Sequence, residues 1–207
     1  STLKFSGSLS HVNSALTTLH FTPKKDFNGL WKNGGRAGYR GVVPASSLES
    51  LEVTAVATDN IDAKPLTPLA TKSCMVSVEW VNDAPVISAP SVVSAKEDSD
   101  VALQPVKVTD VDASETIGGK IEVTVTASVG TVSLDTVAAA RAALNFLDGV
   151  ASGAPTLRFE APPARINAAL ATLTFRSPPN YVGNAEVMLS ARDFGFSGSG
   201  SEQSATH

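Results

Sequence analysis

Residues 166–175 read INAALATLTF, and residues 12–21 read VNSALTTLHF. The likeness is an internal repeat, and an internal repeat decides the architecture before any single element does. Leu3 to Gly29 overlays Leu157 to Gly183 without a gap, at an offset of 154. Nine of the 27 positions are identical: Leu3, Phe5, Asn13, Ala15, Leu16, Thr18, Leu19, Phe21 and Gly29, with their counterparts. The likeness resumes at an offset of 134, where LEVTAVATDN (51–60) lies over AEVMLSARDF (185–194) and pairs Asp59 with Asp193. The offset falls by 20, so the first copy carries a 20-residue insert at about residues 31–50.

Strand signals surround the repeated stretch. KIEVTVTAS (120–128) sets Ile121, Val123 and Val125 on one face and Glu122, Thr124 and Thr126 on the other, the period of a half-buried strand. Similar runs cover 50–57, 74–81 and 100–108, rich in the Val and Thr that favour strands. Gly and Pro punctuate them at short intervals, as in an all-β chain with many turns. Two stretches carry helical signals. Ile166, Leu170 and Leu173 recur at helical spacing behind Pro163, which suits a first turn, so a short helix or turn leads into LTFRS. The Ala-rich 136–147 reads either as a second short helix or as a connection on a sheet edge.

The boundary between copies is VNDAPVISAP (81–90), where Pro85 ends a ladder and holds Ala84 extended. Residues 1–83 are then the C-terminal part of one β-sandwich repeat, and 84–207 a second. Asp59 precedes Asp83 by 24 residues, and the same spacing from Asp193 runs past residue 207, so the second copy is expected to lack its last strand. The chain thus reads as a window on a longer protein. Phe5, Leu16, Leu19 and Phe21, with Phe159, Leu170, Leu173 and Phe175, are the expected core.

Composition narrows the function. With 16 basic and 20 acidic residues the net charge is −4, and no basic block offers a nucleic-acid footprint. No apolar run approaches the ~18 residues of a membrane span. Cys74 is the only cysteine, which rules out an internal disulfide and fits a small strand residue. Asn-x-Ser/Thr sequons are absent. Only His11, His20 and His207 are histidines, GFSGS misses a nucleophile elbow, and GGRAGYRG (34–41) has neither a Walker lysine nor dinucleotide spacing. No enzymatic activity is expected.

VNDAP, AKEDSDVALQPVKVTDVDASE, TASVGTVSL, LRFEAPPARINAALATLTFRSPPNYVG and VMLSARDFGFSGSG, in that order, resemble the cadherin-like, immunoglobulin-like tandem repeats of giant bacterial surface adhesins. Similar repeats occur in large extracellular proteins of algae and other protists. The resemblance covers nearly the whole chain. It implies an all-β fold of tandem immunoglobulin-like β-sandwiches with short helical turns, at the cell surface or outside the cell, forming a stalk or filament. The implied partners are other repeats of the same chain or filament, or other cell-surface proteins or glycans.

The acidic residues sit where such a stalk would use them. Asn82 and Asp83 lie at the boundary, Glu97 after the first strand of copy two, Asp110 and Asp112 at the end of the next, and Asp193 after a late strand. Ca²⁺ takes six to eight oxygen ligands in flexible geometry, which carboxylates and Asn side chains supply. By the resemblance, Glu97 matches the early Glu of a cadherin module, Asp110 and Asp112 the Asp-x-Asp, Asp193 the late Asp, and Asn82 and Asp83 the linker. The longer Asp-x-Asn-Asp-Asn linker and the Asp-Arg-Glu motif are missing. The competing expectation is that these acids are solvated turn residues.

The insert WKNGGRAGYRGVVPASSLES carries Trp31, Arg36, Tyr39 and Arg40, types enriched at interface hot spots. Two readings stand for it: a glycan- or ligand-binding surface, which would make the chain a receptor module, or a loop packed on its own sandwich.

Overall fold

The computed structural model describes residues 2–23, 49–58, 65–76, 78, 81–115, 118–195 and 200–207. The fold is mostly antiparallel β with a few short helices. The expected interface residues Trp31, Arg36, Tyr39 and Arg40 lie outside the described residues.

The centre of the second copy is strand β6 (Ile121–Ala127). It pairs on one side with β9 (Thr156–Ala161) and on the other with β11 (Val187–Arg192). β8 (Asn145–Asp148) and β12 (Ser204–Thr206) complete a five-stranded sheet in the order β12-β11-β6-β9-β8. Register turns the alternation of KIEVTVTAS into rows. Val123 stands opposite Phe159 and Ala191, and Val125 opposite Leu157 and Leu189, all on one face and all buried.

A three-stranded sheet, β4 (Asp100–Ala102), β10 (Thr174–Arg176) and β7 (Thr131–Ser133), has β10 in the middle and contributes Val132 and Phe175 to the same buried cluster. β3 (Val86–Ser88) pairs with β5 (Lys107–Thr109). The stretch 100–108, which reads as one strand, is therefore two. Pro105 lacks the N–H that a continuous ladder would need between β4 and β5. The Ala-rich 136–147 is both of the things it suggests. Thr136–Arg141 form helix α3, capped by the Asp135 carboxylate on the Ala138 amide at 2.7 Å, and Asn145–Asp148 are the edge strand β8.

Helix α4 (Pro163–Leu170) starts with Pro at its first position and buries Pro163, Ile166, Ala169 and Leu170. Asn167 fastens it sideways. Its Oδ1 accepts from the Val108 amide and its Nδ2 donates to the Val108 carbonyl, each at 2.8 Å, so the side chain serves β5 as a strand neighbour would.

In the first copy, helix α1 (Leu9–Leu16) occupies the same eight positions as α4 at the offset of 154. β1 (Glu49–Thr58) pairs antiparallel with β2 (Pro65–Val76), and it ends at Thr58, which matches Arg192, the end of β11, at the offset of 134. The repeat is thus one of elements as well as letters.

Burial differs between the copies. Phe159, Leu170, Leu173 and Phe175 are core, as expected. Phe5, Leu19 and Phe21 are exposed, Leu16 is half-buried, and α1 buries no residue. The reason lies in what covers these positions. In the second copy the covering strands are β4 to β7, and among the described residues the first copy has no counterpart of them.

Candidate functional site

Four polar or charged residues are buried among the described residues: Asn82, Asp110, Glu122 and Asp193. Three of them meet at one end of the five-stranded sheet. Asp193 follows β11, Asp110 follows β5 and opens helix α2 (Val111–Glu115), and Asn82 comes from the boundary segment. Pro85 is fully buried behind it, which fixes the entry of the chain into β3.

Asn82 Nδ2 donates to Asp193 Oδ2 at 2.9 Å and to the Ser201 carbonyl at 3.1 Å. Both partners are acceptors, which sets the orientation of the amide and turns its Oδ1 the other way. Gln203 donates from Nε2 to the Asn82 carbonyl. A Cβ on Gly200, where φ is +141°, would stand 3.3 Å from the Asn82 Cβ, so a bare backbone lets the 200–203 segment close over the boundary. Asp193 Oδ1 accepts from Gly195 and Gln203 amides at 2.9 and 2.8 Å. On the far side, Asp112 Oδ2 accepts from the Asp83 amide at 2.6 Å. The boundary residues are thus tied to α2 and to both flanks of the β11–β12 connection.

Asp110 Oδ1 caps α2 by accepting from the Ala113 amide at 2.7 Å. Its Oδ2 and the Asn82 Oδ1 are buried with no hydrogen-bond partner. Burial pushes the Asp110 carboxyl above its ordinary value. The Ala113 amide works against that shift, and the neighbouring Asp193 and Asp112 charges add to it. Two orphaned buried oxygens, one of them on Asp110 itself, beside the Asp112 and Asp193 carboxylates make an electron-rich site that a proton or a cation would satisfy. Among the described residues no three His, Cys, Asp or Glu side chains are arranged as a metal site, so the donors here are one Asn oxygen and carboxylates partly engaged by amides.

Of the six residues expected to hold calcium, the structure gathers Asn82, Asp83, Asp110, Asp112 and Asp193. Glu97 is elsewhere. It is exposed, in the turn before β4, next to Asp98, whose carboxylate accepts from the Asn180 amide. β4 leads into the β10 register at Arg176, opposite Thr131, which follows the C-terminal end of β6. Asp193 stands at the N-terminal end of β6, where Arg192 pairs with Glu122. The seven residues of β6 separate the two ends by about 20 Å, beyond the reach of a Glu side chain.

The fourth buried group, Glu122, belongs to the outer face of the same sheet. It stands directly opposite Glu160, a like-charge pair that would cost stability if left alone. Arg158 and Arg192 each reach Glu122 at 2.9 Å, while Lys120 and Asn145 take Glu160 at 2.9 and 3.1 Å. Burial opposes ionisation of Glu122, but the bonds from the two arginines together outweigh it and hold the carboxyl below its ordinary value. Arg192 also meets Glu202 at 3.1 Å and lies over the Phe194 ring, 5.4 Å from its centroid, so the ladder runs into the flank of the boundary site.

Sequence reading found the acids of this site but missed Ser201 and Gln203. Their contacts come from a backbone carbonyl and a neutral amide, which leave no mark in a search for ligand types. It also missed the ladder, although the polar face of KIEVTVTAS already placed Glu122 among threonines, where a lone acid on a central strand calls for cations on both neighbours.

Comparison with family models, with curated proteins and with solved structures gives no match.

Proposed function

We propose that this chain is part of an extracellular structural or adhesive repeat region, built from tandem immunoglobulin-like, cadherin-like β-sandwiches that form a stalk or filament, with Ca²⁺ stiffening the boundary between repeats. The observation that carries the reading is the burial of Asn82, a boundary residue, against Asp193 of the second copy, with an unpartnered oxygen on Asn82 and another on Asp110. A flexible tether would leave its polar side chains to water. Burying the amide among carboxylates anchors the boundary segment to the second copy. The two sheets sharing one core support the sandwich, and the recurrence of α1 as α4 supports the tandem repeat.

The open oxygens of Asn82 and Asp110 would face the ion, whose charge would offset the repulsion of the Asp112 and Asp193 carboxylates beside them. Among the described residues no helix is long and apolar enough to cross a membrane. Calcium titration followed by calorimetry tests the reading. The wild-type chain should bind and the Asp110→Ala, Asp112→Ala double variant should not. Equal binding by both would remove the metal from this joint.

A further inference from the structure

The boundary segment is bonded straight to the start of β12. Asn82 Nδ2 donates to the Asp193 carboxylate and to the Ser201 carbonyl, and the Asn82 carbonyl accepts from Gln203 Nε2. Asp193 closes the bracket from the other side. Its Oδ1 accepts from the Gln203 amide at 2.8 Å, and its own amide donates to the Gln203 carbonyl at 3.0 Å. Gln203 immediately precedes β12. Side chains thus join two points of the chain that lie 121 positions apart.

Strand direction gives this bracket a mechanical meaning. β12 runs away from the boundary, from Ser204 opposite Arg192 to Thr206 opposite Ser190. Beyond it, His207 and Leu189 exchange both backbone bonds at 2.9 Å. β3, which follows the boundary, is only three residues long and among the described strands pairs with β5 alone. Tension applied between the boundary segment and residue 207 therefore has two routes. One runs through β3 into β5 and the core behind it. The other crosses from Asn82 to Gln203 and continues along β12. The second is the shorter, and its bonds share the load side by side.

We propose that Asn82, Asp193 and Gln203 form a force-bearing clamp, which carries tension from the boundary segment directly into β12 and spares the β3–β5 pair. Burial supports the assignment. Asn82 and Asp193 are each 2 % exposed, so little water is at hand to replace their bonds as they stretch. The use of the clamp rests on the stalk reading above, whereas the bonds themselves need neither that reading nor calcium.

Single-molecule pulling on the 207-residue chain in chelator tests it. Cys74, exposed in β2 ahead of the boundary and the only cysteine, is one handle, and His207→Cys is the other. Unfolding under force reports the unfolding rate. At constant load, Asn82→Ala and Gln203→Ala should each shorten the lifetime of the folded second copy by on the order of 10-fold. A second pair of handles, Leu147→Cys on β8 and His207→Cys in a Cys74→Ser background, loads the sheet without passing through Asn82. Through that pair the same variants should shorten the lifetime far less. Equal shortening through both pairs would make these residues ordinary stabilising contacts and overturn the clamp, and so would unchanged lifetimes through Cys74. Gln203→Ala removes one bond from a half-buried side chain and decides the matter where Asn82→Ala does not fold. Because no calcium is present, a failed clamp leaves the metal reading of the joint to its own titration.

Discussion

Asn167 lies alongside the peptide of Val108 and makes both bonds that a neighbouring strand would make, each 2.8 Å long. Val108 is fully buried, so neither peptide group has water to fall back on. Asn167→Ala should cost about 1–3 kcal/mol in chemical denaturation, because it leaves a donor and an acceptor without partners. Asn167→Asp should be at least as damaging at neutral pH, since a carboxylate would face the Val108 carbonyl, and should recover as acid restores a donor.

The exposure contrast between the copies gives a paired test. Leu170→Ala and Phe175→Ala should each cost roughly 2–5 kcal/mol, the range for truncating a buried Leu or Phe. Leu19→Ala and Phe21→Ala, at the first-copy counterparts of buried residues, should stay within about 0.5 kcal/mol, as surface changes do. Equal costs in both copies would mean that the first stretch is covered as the second is.

How much of this was legible in the letters depends on the range of the interaction. The strand β6 and the helix α4 follow from periodicity over seven or eight neighbouring residues, so KIEVTVTAS and PARINAAL announce them. The split of 100–108 turned on one missing amide at Pro105. The gathering of Asn82, Asp110, Asp112 and Asp193 followed from placing the first at the boundary and the others at strand ends, as the resemblance implied. Glu97 failed that logic because β4 runs to the other pole, a matter of strand pairing that no local pattern encodes. The exposure of Phe5 and Phe21 was invisible for the same reason: an apolar residue states its preference for burial, and only its neighbours decide whether it is met.

Glu122 and Asp110 give opposite pH signatures. The Glu122 carboxyl sits below its ordinary value of 4.5, so the stability it contributes is present above that value and is lost as pH falls through the folded one. Glu122→Gln should therefore cost about 1–3 kcal/mol near pH 7, from the loss of charge-assisted bonds, with the gap to wild type closing below pH 4.5. Urea melts across pH check it.

The Asp110 carboxyl sits above its ordinary value of 3.8. Its favourable contribution is present below 3.8 and is lost as pH rises through the folded value. Without calcium, Asp110→Asn should melt higher than wild type at pH 7, since Asn still caps α2 and carries no buried charge. The two should converge on acidification. A variant that melts lower than wild type in chelator at pH 7 would show that the Asp110 charge is already compensated by the protein.

The most direct test of a calcium-stiffened joint is the melting temperature of the wild-type chain as free Ca²⁺ rises from chelator to millimolar, beside the Asp110→Ala, Asp112→Ala variant. An ion that binds the folded joint stabilises it by about 2.7 kcal/mol at a hundred times its dissociation constant, so the wild-type transition should climb steadily with calcium while the variant stays flat. A wild-type transition that does not move between chelator and millimolar calcium would contradict the account.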